Sequence, residues 1–273
     1  MSVSELYIIG DSFAVMKQEN INPNVWPILL SQRLGYNLSN TSCSGASQDW
    51  LLNQLHQIRK QITPDDQLII TLSDCNRFWF FEDFPDVAEP RATELGEIIG
   101  KDRAKAAEYY FRYIQRDSLS INHQISRLGL IAHLTTLYNW KPPIILLSFQ
   151  EHVPEQELFP NLIFSKGALI YDVSNKELEV GTNDHIFFKG IDVRHNHMCL
   201  SNHTILADKL YNQIVNNQPL DLTFGFIKDI LKNNYADLEF ANKELSLDAL
   251  EHRTKMLASK SSLSDNWFRR IAM

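Results

Sequence analysis

The chain has 273 residues, 44% apolar and 11% aromatic content and a formal net charge of −7. That is enough apolar material for one sizeable globular core. The acidic balance argues against a nucleic-acid binder, which needs a concentrated basic surface, and no apolar run approaches the roughly 18 residues of a membrane span. The start, MSVSELYII, lacks the basic and then apolar pattern of a secretory leader, so a soluble, cytoplasmic protein without a membrane partner is expected.

Residues 5–9 (ELYII) form a short apolar run closed by Gly10 and read as a buried strand. NVWPILLSQRLG (24–35) has helical spacing at Val25, Ile28, Leu29 and Leu34, with Gly35 as a stop, which completes a βα unit. YNLSNTS (36–42) predicts a second strand, DWLLNQLHQIRKQI (49–62) an amphipathic helix and QLIITL (67–72) a buried third strand. Residues 80–125 exceed what such a core needs. An acidic loop broken by prolines leads there into a helical stretch rich in Ala, Tyr and Arg, which predicts an insertion over one edge of the sheet. PPIILLSF (142–149) supplies a fourth strand, ALIYDV (168–173) a short fifth, and ILADKLYNQIVNN (205–217) the last core helix.

Strands alternating with helices favour a parallel sheet covered on both faces, an α/β three-layer sandwich. One domain is expected over 1–217, followed by a helical extension at 218–273 through which a protein partner or a second copy could dock. Cys43, Cys75 and Cys199 are odd in number and lack a CxxC spacing, which suits free thiols in a reducing compartment.

The chemistry begins at Gly10-Asp11-Ser12. A glycine closing a parallel strand lets the backbone turn sharply and leaves the next residues at the carboxyl edge of the sheet, where ligands bind in such folds. By itself the tripeptide is more often a capped turn than a catalytic site. It is followed, however, by the helix ending at Gly35, the Asn-bearing second strand with Gly45 beyond it, and much later by HMCLSNHTILADKL, which opens on His197.

In this order of blocks, over about residues 5–215, the sequence resembles the SGNH hydrolases, also called the GDSL esterase/lipase family. The resemblance implies a flavodoxin-like α/β/α fold, no cofactor and no metal. It implies Ser12 as nucleophile, His197 as general base, and the backbone N–H groups of Ser12 and Gly45 as oxyanion donors. The family's third block reads Gly-x-Asn-Asp, where this chain has Ser73-Asp74-Cys75-Asn76. Asn76, one residue beyond the usual place, could still donate its amide, or Arg77 could take part of that role. The family's Asp three residues before the histidine is replaced by Arg194. Asp192 is the nearest acid and completes the expected triad. Asp184 is the more distant candidate, and a Ser/His pair remains open.

The resemblance implies hydrolysis of a small acyl ester, acetyl foremost, on a carbohydrate or similar alcohol, with small-molecule or polysaccharide substrates. Transfer to another alcohol is the chemical alternative, and a non-catalytic binding or assembly module on the same fold is the second class. The HMxxxNH form of the last block also resembles SGNH-type proteins of tailed bacteriophages, which would admit a virion setting. His195, His197, Cys199 and His203 lie close enough in sequence to suggest zinc, but the segment is better explained as one catalytic histidine followed by a helix start. The aromatic groups at 77–84 and 108–116 could line a pocket, and more readily form core.

Overall fold

The computed structural model describes residues 3–15, 24–43, 45–79, 101–149, 156–174, 187–188, 191–192 and 198–227. Strands β1 (Glu5–Ile9), β2 (Asn37–Asn40), β3 (Gln67–Leu72), β4 (Ile144–Leu147) and β5 (Ile163–Phe164) form one sheet in the order β2-β1-β3-β4-β5. All four pairings are parallel, with Ile8 opposite Ile69 and Ile69 opposite Ile144. Parallel neighbours cannot be joined by a hairpin, so each connection must cross over a face.

The side-chain period of two divides the strands between two cores. Leu6, Ile8, Ile69, Ile144 and Leu146 pack beneath Trp26 and Leu30 of α1 (Trp26–Leu34) and Leu206, Ala207 and Leu210 of α5 (Leu200–Asn216). Tyr7, Ile9, Leu68, Ile70, Leu72, Ile145 and Leu147 pack beneath Leu51 and Leu55 of α2 (Gln48–Ile58) and Leu128 and Ile131 of α4 (Asp117–Leu137). The result is the expected three-layer α/β/α sandwich with a doubly wound parallel sheet. Helix α3 (Lys101–Tyr113) and the start of α4 fall in the expected insertion, but α4 runs on to Leu137 and serves as the crossover from β3 to β4.

Helix α1 carries proline in its first turn, where the missing N–H is no loss, and ends at Gly35 with φ 68°, a left-handed conformation that glycine adopts freely. The expected fifth strand at 168–173 is corrected. Leu169–Val173 is a single π-helical turn, and the fifth strand is the two-residue β5. Three local bonds decide this. The Asp172 carboxylate accepts the Ala168 N–H at 2.8 Å, and the Ser174 N–H and hydroxyl both donate to the Leu169 carbonyl at 2.8 Å. The buried residues Leu169 and Val173 stand four apart, a helical rather than an alternating spacing.

Beyond α5 the chain returns to the sheet edge. The Lys166 N–H donates to the Leu220 carbonyl at 2.9 Å and the Leu222 N–H to the Lys166 carbonyl at 2.8 Å, while Leu220 and Leu222 join the α1/α5 core. Asp221 pairs with Lys166 at 2.7 Å and accepts from Thr223. These hydrogen bonds, that from Lys166 foremost, pull its carboxyl down to about 2. No helix among the described residues is long and apolar enough to cross a membrane.

Candidate active site

Strand order reverses at β1: β2 lies on one side, and β3, β4 and β5 on the other. In open α/β sheets of this order, ligands bind outside the carboxyl ends of the strands at the β1/β3 switch point. Three loops come together there, with residues 10–14, 41–43 and 45–47, and 73–79.

The first loop is built around Thr71 of β3. A Cβ placed on Gly10 would stand 1.9 Å from Thr71 Oγ1, so the backbone turns here only without a side chain. The Thr71 hydroxyl accepts the Asp11 N–H at 2.9 Å and donates to Asp11 Oδ1 at 3.2 Å. Asp11 Oδ1 also accepts the Phe13 N–H at 3.1 Å, and the Asp11 carbonyl accepts the Ala14 N–H at 3.1 Å. Asp11 is fully buried, as a turn builder would be, and Ser12 is half-buried at the edge.

The second loop extends the parallel ladder past β2. The Thr41 N–H donates to the Ile8 carbonyl at 3.0 Å and the Cys43 N–H to the Gly10 carbonyl at 2.9 Å. Cys43 is thereby paired two residues before Ser12, and Gly45 follows it by two. Gly45 has φ 76°, a conformation that favours glycine, and α2 begins just beyond with Ser47 accepting the Trp50 N–H. The positive end of the α2 dipole thus adjoins Gly45, an arrangement that favours developing negative charge.

In the third loop Asp74 Oδ1 accepts the Asn76 N–H at 2.9 Å, and the Asp74 carbonyl accepts the Arg77 N–H at 3.2 Å. Asn76 is half-buried, and its side-chain Oδ1 accepts from Gln115 Nε2 at 3.0 Å. The Arg77 guanidinium lies 5.5 Å from the Phe149 ring centre. Ser73, Asp74, Cys75, Gln124 and Phe149 line a small pocket at this edge. Phe78 is core, edge-on to Tyr110 and Phe111. Among the described residues, every buried side-chain polar atom without a hydrogen-bond partner follows the carboxyl end of β1, β2, β3 or β4; Asp11 Oδ2, Ser42 Oγ, Ser73 Oγ and Ser148 Oγ are examples. Polar groups that the fold leaves unsatisfied call for a reason, and a functional edge supplies one.

No protein-family model matches the sequence, and no curated protein matches it. Among solved structures the chain is similar to a protein from Desulfitobacterium hafniense described as lipolytic and of the G-D-S-L family (TM-score 0.39, 10% identity, 75% of this chain and 96% of that one). It is also similar to the psychrotrophic esterase EstA from a Pseudoalteromonas species (0.40, 13%, 78% and 97%) and to TesA (0.39, 13%, 79% and 100%). These are distant likenesses of backbone course, and the site stands on the geometry above.

The last block is anchored to the first through Trp26. Its Nε1–H donates to the Phe13 carbonyl at 2.8 Å, and its backbone N–H donates to His203 Nδ1 at 3.3 Å. Trp26 therefore bridges the first turn of α5 and the residue after Ser12. Asn202 Nδ2 fixes the same turn by donating to the Val173 carbonyl at 2.8 Å, and Met198 and Cys199 are buried. His195, His197, Arg194 and Asp184 lie outside the described residues. Asp192 ends β7 (Ile191–Asp192), whose backbone pairs antiparallel with β6 (Phe187–Phe188), Asp192 opposite Phe187. No group of three metal-ligating side chains occurs among the described residues.

Sequence patterns did not point to Thr71, Gln115 or the clasp under the second and third loops. In that clasp, buried Gln48 donates to the Ser73 carbonyl and to Gln124, both at 2.7 Å. Arg127 forks onto both Asp49 oxygens at 2.8 Å. Only Asp49, in the first turn of an expected helix, had a local signal.

Proposed function

We propose that this chain is a serine esterase of the SGNH type, acting through an acyl-enzyme on small acyl esters, acetyl foremost, of a carbohydrate or similar alcohol. The observation that carries the proposal is the laddering of Cys43 onto Gly10 at the switch point, because it draws Ser12 and Gly45 to one edge while Trp26 ties that edge to the start of α5. Ser12 Oγ attacks the ester carbonyl carbon as its proton passes to His197. The resulting oxyanion is met by the N–H groups of Ser12 and Gly45 and by the Asn76 amide. Collapse expels the alcohol with the proton from His197, and water, activated by the same imidazole, releases the acid. Asp192 is the carboxylate assigned to orient His197.

A fluorophosphonate probe tests the reading on the full chain. Covalent labelling confined to Ser12 and lost in Ser12→Ala, with thermal unfolding unchanged, is the expected result. A folded wild-type chain that does not label sinks the proposal and favours the binding module. Supplying an acetyl donor with and without sugar acceptors then separates hydrolysis from transfer.

A further inference from the structure

We infer that Gln115, in the turn between α3 and α4, is a positioning residue that holds the Asn76 amide as an oxyanion donor; this rests on the esterase reading above. In the sequence resemblance the family's asparagine aligns with Cys75, which is 3% exposed. Asn76 follows it and needs its own means of being fixed.

Two bonds fix it. The backbone N–H is held by Asp74 Oδ1 at 2.9 Å, and the side-chain Oδ1 by Gln115 Nε2 at 3.0 Å. Gln115 is itself restrained: its backbone N–H donates to the Tyr110 carbonyl at 2.9 Å, and Nε2 also donates to Ser120 Oγ at 3.3 Å, with Ser120 fully buried. An amide held through its oxygen has its orientation set, so that its Nδ2 hydrogens point away from that contact. Gln115 therefore settles which end of Asn76 is available to the reacting carbonyl, and it assigns a catalytic purpose to the α3/α4 turn of the insertion. Preorganised donors stabilise a transition state because no reorientation is needed at the moment of reaction.

Gln115→Glu tests this on the full chain, with p-nitrophenyl acetate as substrate. The ionised carboxylate introduced there cannot donate to Asn76 Oδ1 and would instead accept from Nδ2, turning the donor away. The expected result is a kcat about 10- to 100-fold lower with KM within about threefold, and no further loss when combined with Asn76→Ala. Relative to wild type, the loss should shrink as pH falls toward about 4.3, where the protonated carboxyl regains an O–H donor. Gln115→Met, which removes the donor without reversing the amide, should lose less and should also be non-additive with Asn76→Ala; it carries the same test if the Gln115→Glu variant does not fold. Unchanged kcat in both variants, or losses that multiply fully with Asn76→Ala, overturns the assignment. A wild-type chain that labels at Ser12 while the Gln115 variants turn over normally refutes this inference alone. A wild-type chain that fails to label refutes the esterase reading and this inference together.

Discussion

Gly10 shows how one absent side chain sets the edge of the sheet. Its position is fixed by the approach of β1 to Thr71, whose hydroxyl also holds the Asp11 N–H. Gly10→Ala should push that hydroxyl aside, leave a buried N–H unpaired and shift Ser12. A loss of about 1 to 3 kcal/mol is expected from overpacking, together with a clear drop in turnover. Urea unfolding and ester hydrolysis check both; unchanged values would mean that β1 and β3 are less tightly apposed. The end of β1 at Gly10, with Ser12 just beyond it at the sheet edge, was legible in the sequence because a glycine ending an apolar run has a local meaning. Thr71 and Gln115 were not, since their partners lie 60 and 39 residues away and no spacing rule connects them.

At the scale of elements, strands and helices follow from period and punctuation wherever both are strong. β1 and β3 fall on the expected residues because each is an apolar run sharply bounded, and α1 stops at its glycine. β5 escaped notice because two residues carry no period, while 168–173 looked like a strand until its own side-chain bonds closed a helical turn. Helices α2 and α4, which share one apolar core, are also joined by a pair seen only in three dimensions. Arg127 is 8% exposed and grips Asp49, which is 39% exposed, with a two-pronged bond. Fully buried pairs cost about 3 to 5 kcal/mol to break and exposed pairs contribute about 0 to 1 kcal/mol. Arg127→Ala should therefore fall between, at about 2 kcal/mol, and Arg127→Lys should restore less than half because a point charge lacks the fork. A change within about 0.5 kcal/mol for Arg127→Ala would show that the clasp adds nothing to stability.

For the whole molecule, the question is where the folding unit ends. The sequence pattern places the boundary near residue 217, since the strand pattern stops there and the rest reads as helices. The contacts that continue are sparse but apolar: Leu220 is 4% and Leu222 0% exposed, both against the core beneath α1 and α5. The Lys166–Asp221 pair and the paired backbone of 220–222 hold them to the sheet edge, and the Asn202 side chain bonds both the N–H and the carbonyl of Ile227. Each buried leucine is worth about 1.5 to 3 kcal/mol at most, so the two together approach the lower part of a domain's net stability of about 5 to 15 kcal/mol. We therefore propose that the unit needs residues to about 227. A chain ending at Ile230 should unfold cooperatively and retain Ser12 labelling by the fluorophosphonate, whereas a chain ending at Asn217 should lose most of its unfolding transition. Cooperative unfolding of the shorter chain within a few degrees of full length would return the boundary to 217. Failure of the longer chain to fold would place residues beyond 230 within the same unit.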